Sequence, residues 1–324
     1  MANDLLHIQD SFYFDVPKFM WQYHSIDEVP QWLRNNHYRT WQREQAAAGD
    51  QAEPYHRPTL QEWQDSLNGK VIIPQPFGTP KNLYQAGTGF CISKFMVLEV
   101  VAGLLITALF VYLAQRIAGG RAPRGRLVNL LESFVVYVRD EMAVPAIGKH
   151  DADRFVPLLW TMFFFILTLN ICGMIPFLGA VTASWGATFA MAAITLGTVF
   201  LFGMLKFGVL GFWGNQVPHM DLPWYMSPIK GFIFLIEVMG LLIKHAVLSV
   251  RLLANMVAGH LVLLAILGLA VTAVEATHPN WITVAIAIVG STLFSVLELF
   301  VAFLQAYVFT FLSALFIGAA IHHH

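Results

Sequence analysis

Charge is scarce in this sequence. Only 12% of its 324 residues are Asp, Glu, Lys or Arg, against about 25% in an ordinary soluble domain. That shortage argues against a soluble globular enzyme. Net charge is −1, so there is no basic surface on which to read a nucleic-acid partner. Cysteine is nearly missing. Cys91 and Cys172 offer neither metal-ligand spacing nor a disulfide framework, and they do not reveal a redox compartment. The pattern GxxxxGK[ST] is missing, so no P-loop is expected to handle a nucleotide. No basic stretch followed by an apolar one opens the chain, so its start does not read as a standard secretory signal. Proline is absent from residues 229–274 and 281–321, which leaves both stretches free to run as unbroken helices.

What is present is apolar and unevenly placed. Hydrophobic residues make up 57% of the chain. Of the charged residues, 18 fall in positions 1–94, and only Lys230, Glu237, Lys244, Arg251, Glu275 and Glu298 fall in 229–321. The chain therefore divides into a polar N-terminal extension, 1–93, and a membrane domain, 94–321. The extension reads as small and helical or irregular, with Pro and Gly gathered between Pro74 and Gly89. In the membrane domain, spans are expected at about 95–115, 156–177 and 185–206, each near the 20 residues that cross a bilayer. An amphipathic interfacial helix is expected at about 126–143, from Leu127, Leu130, Leu131, Phe134, Val135 and Val138 at helical spacing. Arg116, Arg121, Arg124 and Arg126 place the end of the first span on the cytoplasmic side, and the polar extension on the opposite side. The two proline-free runs, 229–274 and 281–321, are each about twice too long for one upright span. They read as two long, steeply tilted helices joined near His278, Pro279 and Asn280. The expected class is an all-α polytopic membrane protein with about five membrane helices. A transmembrane β-barrel is excluded, because no alternating ten-residue strands occur.

The few charges in the long helices carry the functional signal. Glu237, Lys244 and Arg251 recur every seven residues, nearly two turns, and so share a helix face. Asn255 lies four residues past Arg251 on the same side. His245 adjoins Lys244, and His260 is nine residues past Arg251, about half-way round. Glu298 and Gln305 share a face of the second long helix. An Arg at the centre of a membrane helix costs about 3 kcal/mol on insertion scales and stays protonated, so it needs a carboxylate. Glu237 is about 21 Å along the same helix and cannot be its direct partner. Either Glu298 meets Arg251 within the chain, Arg251 snorkels, or another subunit supplies the carboxylate. His260 and Glu298, at depths a hairpin can join, could hold or pass protons. Asn255 and Gln305 could equally glue helices together. Glu99 and Glu275 lie near span ends and read as interfacial.

The segment Arg251-Leu-Leu-Ala-Asn255-Met-Val-Ala-Gly-His260, with Glu237 fourteen residues before the Arg, resembles subunit a of F-type ATP synthases. So does Glu298-Leu-Phe-Val-Ala-Phe-Leu-Gln305-Ala. Some members of that family carry Glu at the first position and His at the second; this chain resembles the swapped arrangement, His260 with Glu298. Further likeness lies in Asn129-Leu-Leu-Glu132, in Val-Arg139-Asp140-Glu141, and in Leu169-Asn170-Ile-Cys-Gly173-Met-Ile-Pro176. It covers roughly residues 95–321 and is silent on 1–90. Val247 departs from a small polar residue found in some members.

The resemblance implies a non-catalytic, ion-translocating subunit whose long hairpin curves around a ring of c subunits. The remaining ATP synthase subunits, with b subunits or a peripheral stalk, would be its partners in a bacterial inner membrane. The N-terminus would be outside and the C-terminus cytoplasmic. It implies a proton path past Asn170, His260 and Glu298 to the ring carboxylate, with Asn255 and Gln305 positioning water and the Arg. The path would leave past Glu237, Lys244 and His245, and Arg251 would separate the two half-channels. It implies no cofactor and no metal. Na⁺ in place of H⁺ is an alternative. A stand-alone secondary transporter is another, but no inverted repeat or broken helix supports it. A redox enzyme would need His245 and His260 on one metal, yet they lie about four turns apart. His322 to His324 are native or a tag remnant and stand outside the fold argument.

Overall fold

The computed structural model describes residues 10–31, 33–35, 37–38, 42, 58–75, 92–117, 125–175, 178–215, 227–275 and 280–321. Arg121, Arg124, Pro176, the joint at His278 and Pro279, Cys91 and His322 to His324 lie outside these. The chain divides into two compact units, one of residues 1–101 with 175–179, the other of residues 102–174 with 180–324.

The first unit is not purely helical or irregular. Strand β1 (Tyr13–Asp15) pairs antiparallel with β2 (Lys70–Ile72), with Tyr13 opposite Ile72 and Asp15 opposite Lys70. Two three-residue strands so far apart in sequence leave no alternating pattern to read. Between them α1 (Leu60–Leu67) starts at a capping box. The Thr59 hydroxyl accepts from the Glu62 amide, and the Glu62 carboxylate accepts from the Thr59 amide. Trp63 and Leu67 then pack with Tyr23, Val29 and Leu33. Gly69, at φ +81°, makes the turn into β2, where a Cβ would stand 2.8 Å from the Val16 carbonyl oxygen.

Among the described residues, helix α2 (Lys94–Ile117) is one of five helices long and apolar enough to cross a membrane. Its buried side repeats at helical spacing through Phe95, Leu98, Ala102, Ile106 and Leu113. Glu99 is half-buried near its start. The interfacial segment, expected as one helix over 126–143, is compound. Helix α3 (Arg126–Tyr137) passes into a π-helical turn (Val138–Ala143) and then α4 (Val144–Ile147). The turn shows as the Val144 amide bonding back to the Arg139 carbonyl, a local insertion that residue periodicity does not reveal. Arg139 then forks onto Asp153, at 2.8 and 3.3 Å, and reaches Asp140 at 2.9 Å.

Helix α5 (Ala152–Met174) begins four residues before the expected span and holds Pro157 in its second turn. Helix α6 (Trp185–Phe207) matches the expected span to within a residue. The glycine-rich stretch after it forms a short helix, α7 (Val209–Asn215). A Cβ on Gly203 of α6 would press into the Phe212 ring of α7. The hairpin is two unbroken helices, α8 (Ser227–Glu275) and α9 (Trp281–Ile321). Forty-nine and 41 residues give about 73 and 62 Å of helix, against a hydrocarbon core of about 30 Å. The core of this unit joins Leu159, Phe163 and Ile166 of α5 to Phe309 and Ile317 of α9 and Leu248 and Leu252 of α8. Gly318 lets α9 come down onto α4, since a Cβ there would collide with the Ala146 carbonyl.

Candidate functional site

Helix α8 carries both halves of the site on different faces. The seven-residue row Glu237, Lys244, Arg251 lies on its outer side. Lys244 Nζ stands 3.9 Å from Glu237 Oε1, with both side chains about half exposed. Arg251 is exposed, flanked by exposed Val247 and Val250. It makes no ion pair or hydrogen bond among the described residues. Glu298 does not meet it.

Glu298 turns inward instead, buried against His260, with Oε1 3.1 Å from Nδ1. Residue 259 makes this approach feasible. A Cβ there would stand 2.8 Å from that Oε1, so only glycine leaves room for the carboxylate against the helix backbone. The His260 ring is held at both nitrogens. Nδ1 also lies 3.1 Å from the Met256 carbonyl, and Nε2 lies 2.9 Å from the Gly173 carbonyl. Nδ1 thus stands between the Met256 carbonyl and Glu298 Oε1, each 3.1 Å away.

Three amides complete the cluster. Asn255 Nδ2 donates to Gln305 Oε1 at 2.7 Å, linking α8 to α9 at the border between the exposed row and the buried pair. Asn170 of α5, almost fully buried, donates to the Ala302 carbonyl at 3.1 Å. Between them lies a cavity of about 20 Å³, lined by Asn170, Asn255, Glu298, Gln305 and the apolar Leu252 and Met256. That is room for roughly one water centre. Among the described residues the buried atoms Asn170 Oδ1 and Gln305 Nε2 have no hydrogen-bond partner.

His245 lies apart from both groups. It is 3% exposed, its Nδ1 meets the Leu241 carbonyl at 2.9 Å, and its ring packs 4.8 Å from that of Phe316. Although it adjoins Lys244, one residue turns the side chain about 100° round the helix, away from the charged row. Near it Ser249 donates to Thr188 at 3.2 Å, and Thr195 and Ser313 stand 3.2 Å apart, an α6–α8–α9 hydroxyl seam. Sequence spacing does not reveal this seam, because isolated Ser and Thr are common in membrane helices. Gly259 and the Gly173 carbonyl were equally hidden. The only hint at 259 was a glycine next to the intramembrane His.

The profile of the family described as ATP synthase A chain matches residues 96–318. Similar proteins include "ATP synthase subunit a" of an Anaeromyxobacter species, 39% identical over 71% of this chain and 54% of that protein. Another is "ATP synthase subunit a" of Myxococcus xanthus, 39% identical over 72% of this chain and 75% of that one. A third, "ATP synthase subunit a 2" of Chlorobaculum tepidum, is 32% identical over 86% and 78%. The chain spans about half the length of the Anaeromyxobacter relatives it matches.

Proposed function

Because this chain belongs to the ATP synthase A chain family, we propose that it is the proton-conducting stator of a rotary ATP synthase. In this reading Arg251 faces carboxyl groups carried past it by a ring of c subunits. The observation that carries it is the pairing of charges. Arg251 is exposed on an apolar flank with no partner among the described residues, while the nearby intramembrane carboxylate, Glu298, is committed to His260. A permanent cation in lipid needs an anion, and this one has to come from outside the chain.

The ring carboxyl crosses lipid neutral and ionises beside Arg251. It takes its proton from the buried cluster on the outer side, where Asn170, Gln305 and Glu298 line the one-water cavity and His260 backs the carboxylate. It gives its proton up on the inner side, past the Glu237–Lys244 pair. Arg251 stands between the two half-channels, and its fixed charge repels a proton that would pass straight through. The fall of one charge through 100 mV supplies about 2.3 kcal/mol. The histidine–carboxylate pair is proton-carrying chemistry, which favours H⁺ over Na⁺. His245, buried with its ring against Phe316, lies off the exposed row. The chain makes no covalent bond; ATP chemistry, the ring and a peripheral stalk belong to partner subunits in a bacterial inner membrane.

The test is Arg251→Ala in inverted membrane vesicles, following ATP-driven acidification and passive proton leak separately. Loss of pumping in an assembled complex, with leak persisting or rising, is the expected outcome. Near-native pumping would overturn the reading.

A further inference from the structure

The surroundings of His260 determine what its ring can do with a proton. A histidine that relays protons takes one at one nitrogen and passes one on from the other, so both nitrogens must face groups able to exchange protons. Nε2 of His260 faces the Gly173 carbonyl at 2.9 Å. A backbone carbonyl only accepts hydrogen bonds and neither gives nor carries a proton. Gly173 lies in the last turn of α5, which ends at Met174, so its carbonyl is one of the four for which a helix has no amide of its own. Gly173 also has no Cβ, and one would collide with the Met256 methyl. Its absence lets α8 come close enough for the ring to reach that carbonyl. On the other side, Nδ1 faces the Met256 carbonyl and Glu298 Oε1, each at 3.1 Å. Among the described residues, the Glu298 oxygen is the only polar atom against the ring that exchanges protons.

We propose that His260 is a terminal proton station rather than a pass-through relay. The Gly173 carbonyl pins a hydrogen on Nε2 at all times, and the ring exchanges its second proton at Nδ1 with Glu298 alone. The step balances within the pair. The Nδ1–H bond of the imidazolium breaks, the Glu298 Oε1–H bond forms, and imidazolium plus carboxylate becomes neutral Nε2–H imidazole plus carboxylic acid. The proton path then runs through Glu298 and the amide-lined cavity of Asn170 and Gln305, with His260 beside it as a reservoir. Gly173 is a positioning residue that acts through its backbone. This deepens the stator reading and rests on it for the direction of proton flow, but not for the state of the ring.

The experiment is nitrogen NMR of the reconstituted complex, with this chain alone carrying ¹⁵N-histidine. The chain has 12 histidines, and the His260 signals are those lost in His260→Gln. Across a pH titration the expected result is a neutral form protonated only at Nε2, and a charged form protonated at both nitrogens. A neutral population with its hydrogen on Nδ1 and a bare Nε2 would overturn the proposal, because a through-ring relay must visit that tautomer in each cycle. The ring nitrogens are read independently of pumping. Failure of the stator reading in the Arg251→Ala assay would therefore leave this result standing, and a wrong tautomer would leave that assay untouched.

Discussion

Two faces of one helix hold this protein's intramembrane charges in opposite ways. On the outer face of α8, Glu237 is half exposed and Lys244 and Arg251 are exposed, with one loose 3.9 Å pair between the first two and, among the described residues, none for the third. On the inner face, His260 is enclosed by a carboxylate from α9, a carbonyl from α5 and a carbonyl of its own helix. The outer row is built by periodicity alone: seven residues bring the next side chain back to the same side wherever the helix goes. The inner cluster depends on three helices meeting in one register, and on two glycines that let them come close enough. A charged row waits for a partner from outside, whereas a buried cluster has already chosen its partners. That difference separates a surface that meets something moving past from a site that holds a proton in place.

The comparison can be broken most severely at Glu298. Glu298→Gln keeps the shape of the cluster and removes its acid. Proton transfer by a positioned acid or base is worth about 10²-fold or more, and ATP-driven acidification of inverted vesicles should fall by that order while the complex still assembles on native gels. Gly259→Val comes next. It keeps both titrating groups but fills the notch in which the carboxylate sits, where even a Cβ stands 2.8 Å from Oε1. Pumping should drop roughly tenfold, the equivalent of about 1.4 kcal/mol of misplacement. Pumping that survived Gly259→Val would mean the pair need not touch to work.

Asn255→Ala tests the border between the faces. It deletes the 2.7 Å bond to Gln305. Hydrogen bonds between membrane helices average about 0.6 kcal/mol, so a two- to threefold loss of pumping is expected, with little change in assembly. Lys244→Met should matter least for stability. An exposed pair contributes about 0–1 kcal/mol, and the melting temperature of the detergent-purified complex should barely move. A large fall would show that the row holds the subunit together and does not simply face outward.

Much of this was written in the sequence. The ends of α6 and α9 are predicted to within a residue, because long apolar runs and missing prolines decide where membrane helices start and stop. That Glu237 is not the direct partner of Arg251 follows from their fourteen-residue spacing. The antiparallel hairpin brings Asn255 to Gln305 and His260 to Glu298 because both helices run unbroken, so one contact fixes the next. Other features were not legible. The π-helical turn at Val138–Ala143 inserts into an amphipathic pattern without disturbing its apolar residues. The short β1–β2 pair joins positions more than fifty residues apart, with too few residues to alternate.

The sequence by itself determined which described helices are long and apolar enough to cross a membrane, which face of α8 carries the charged row, and that a cation stands where lipid cannot neutralise it. These are consequences of local periodicity and transfer cost, which a chain carries wherever it folds. The tertiary structure decided the rest. It turned His245 inward although its neighbour Lys244 faces out. It gave Glu298 to His260 and not to Arg251. It laid the last turn of α5 against the histidine, so that the carbonyl of Gly173 meets Nε2. Each of these depends on how closely two helices approach, and that distance is set by side chains on both helices at once, which no single stretch of sequence contains.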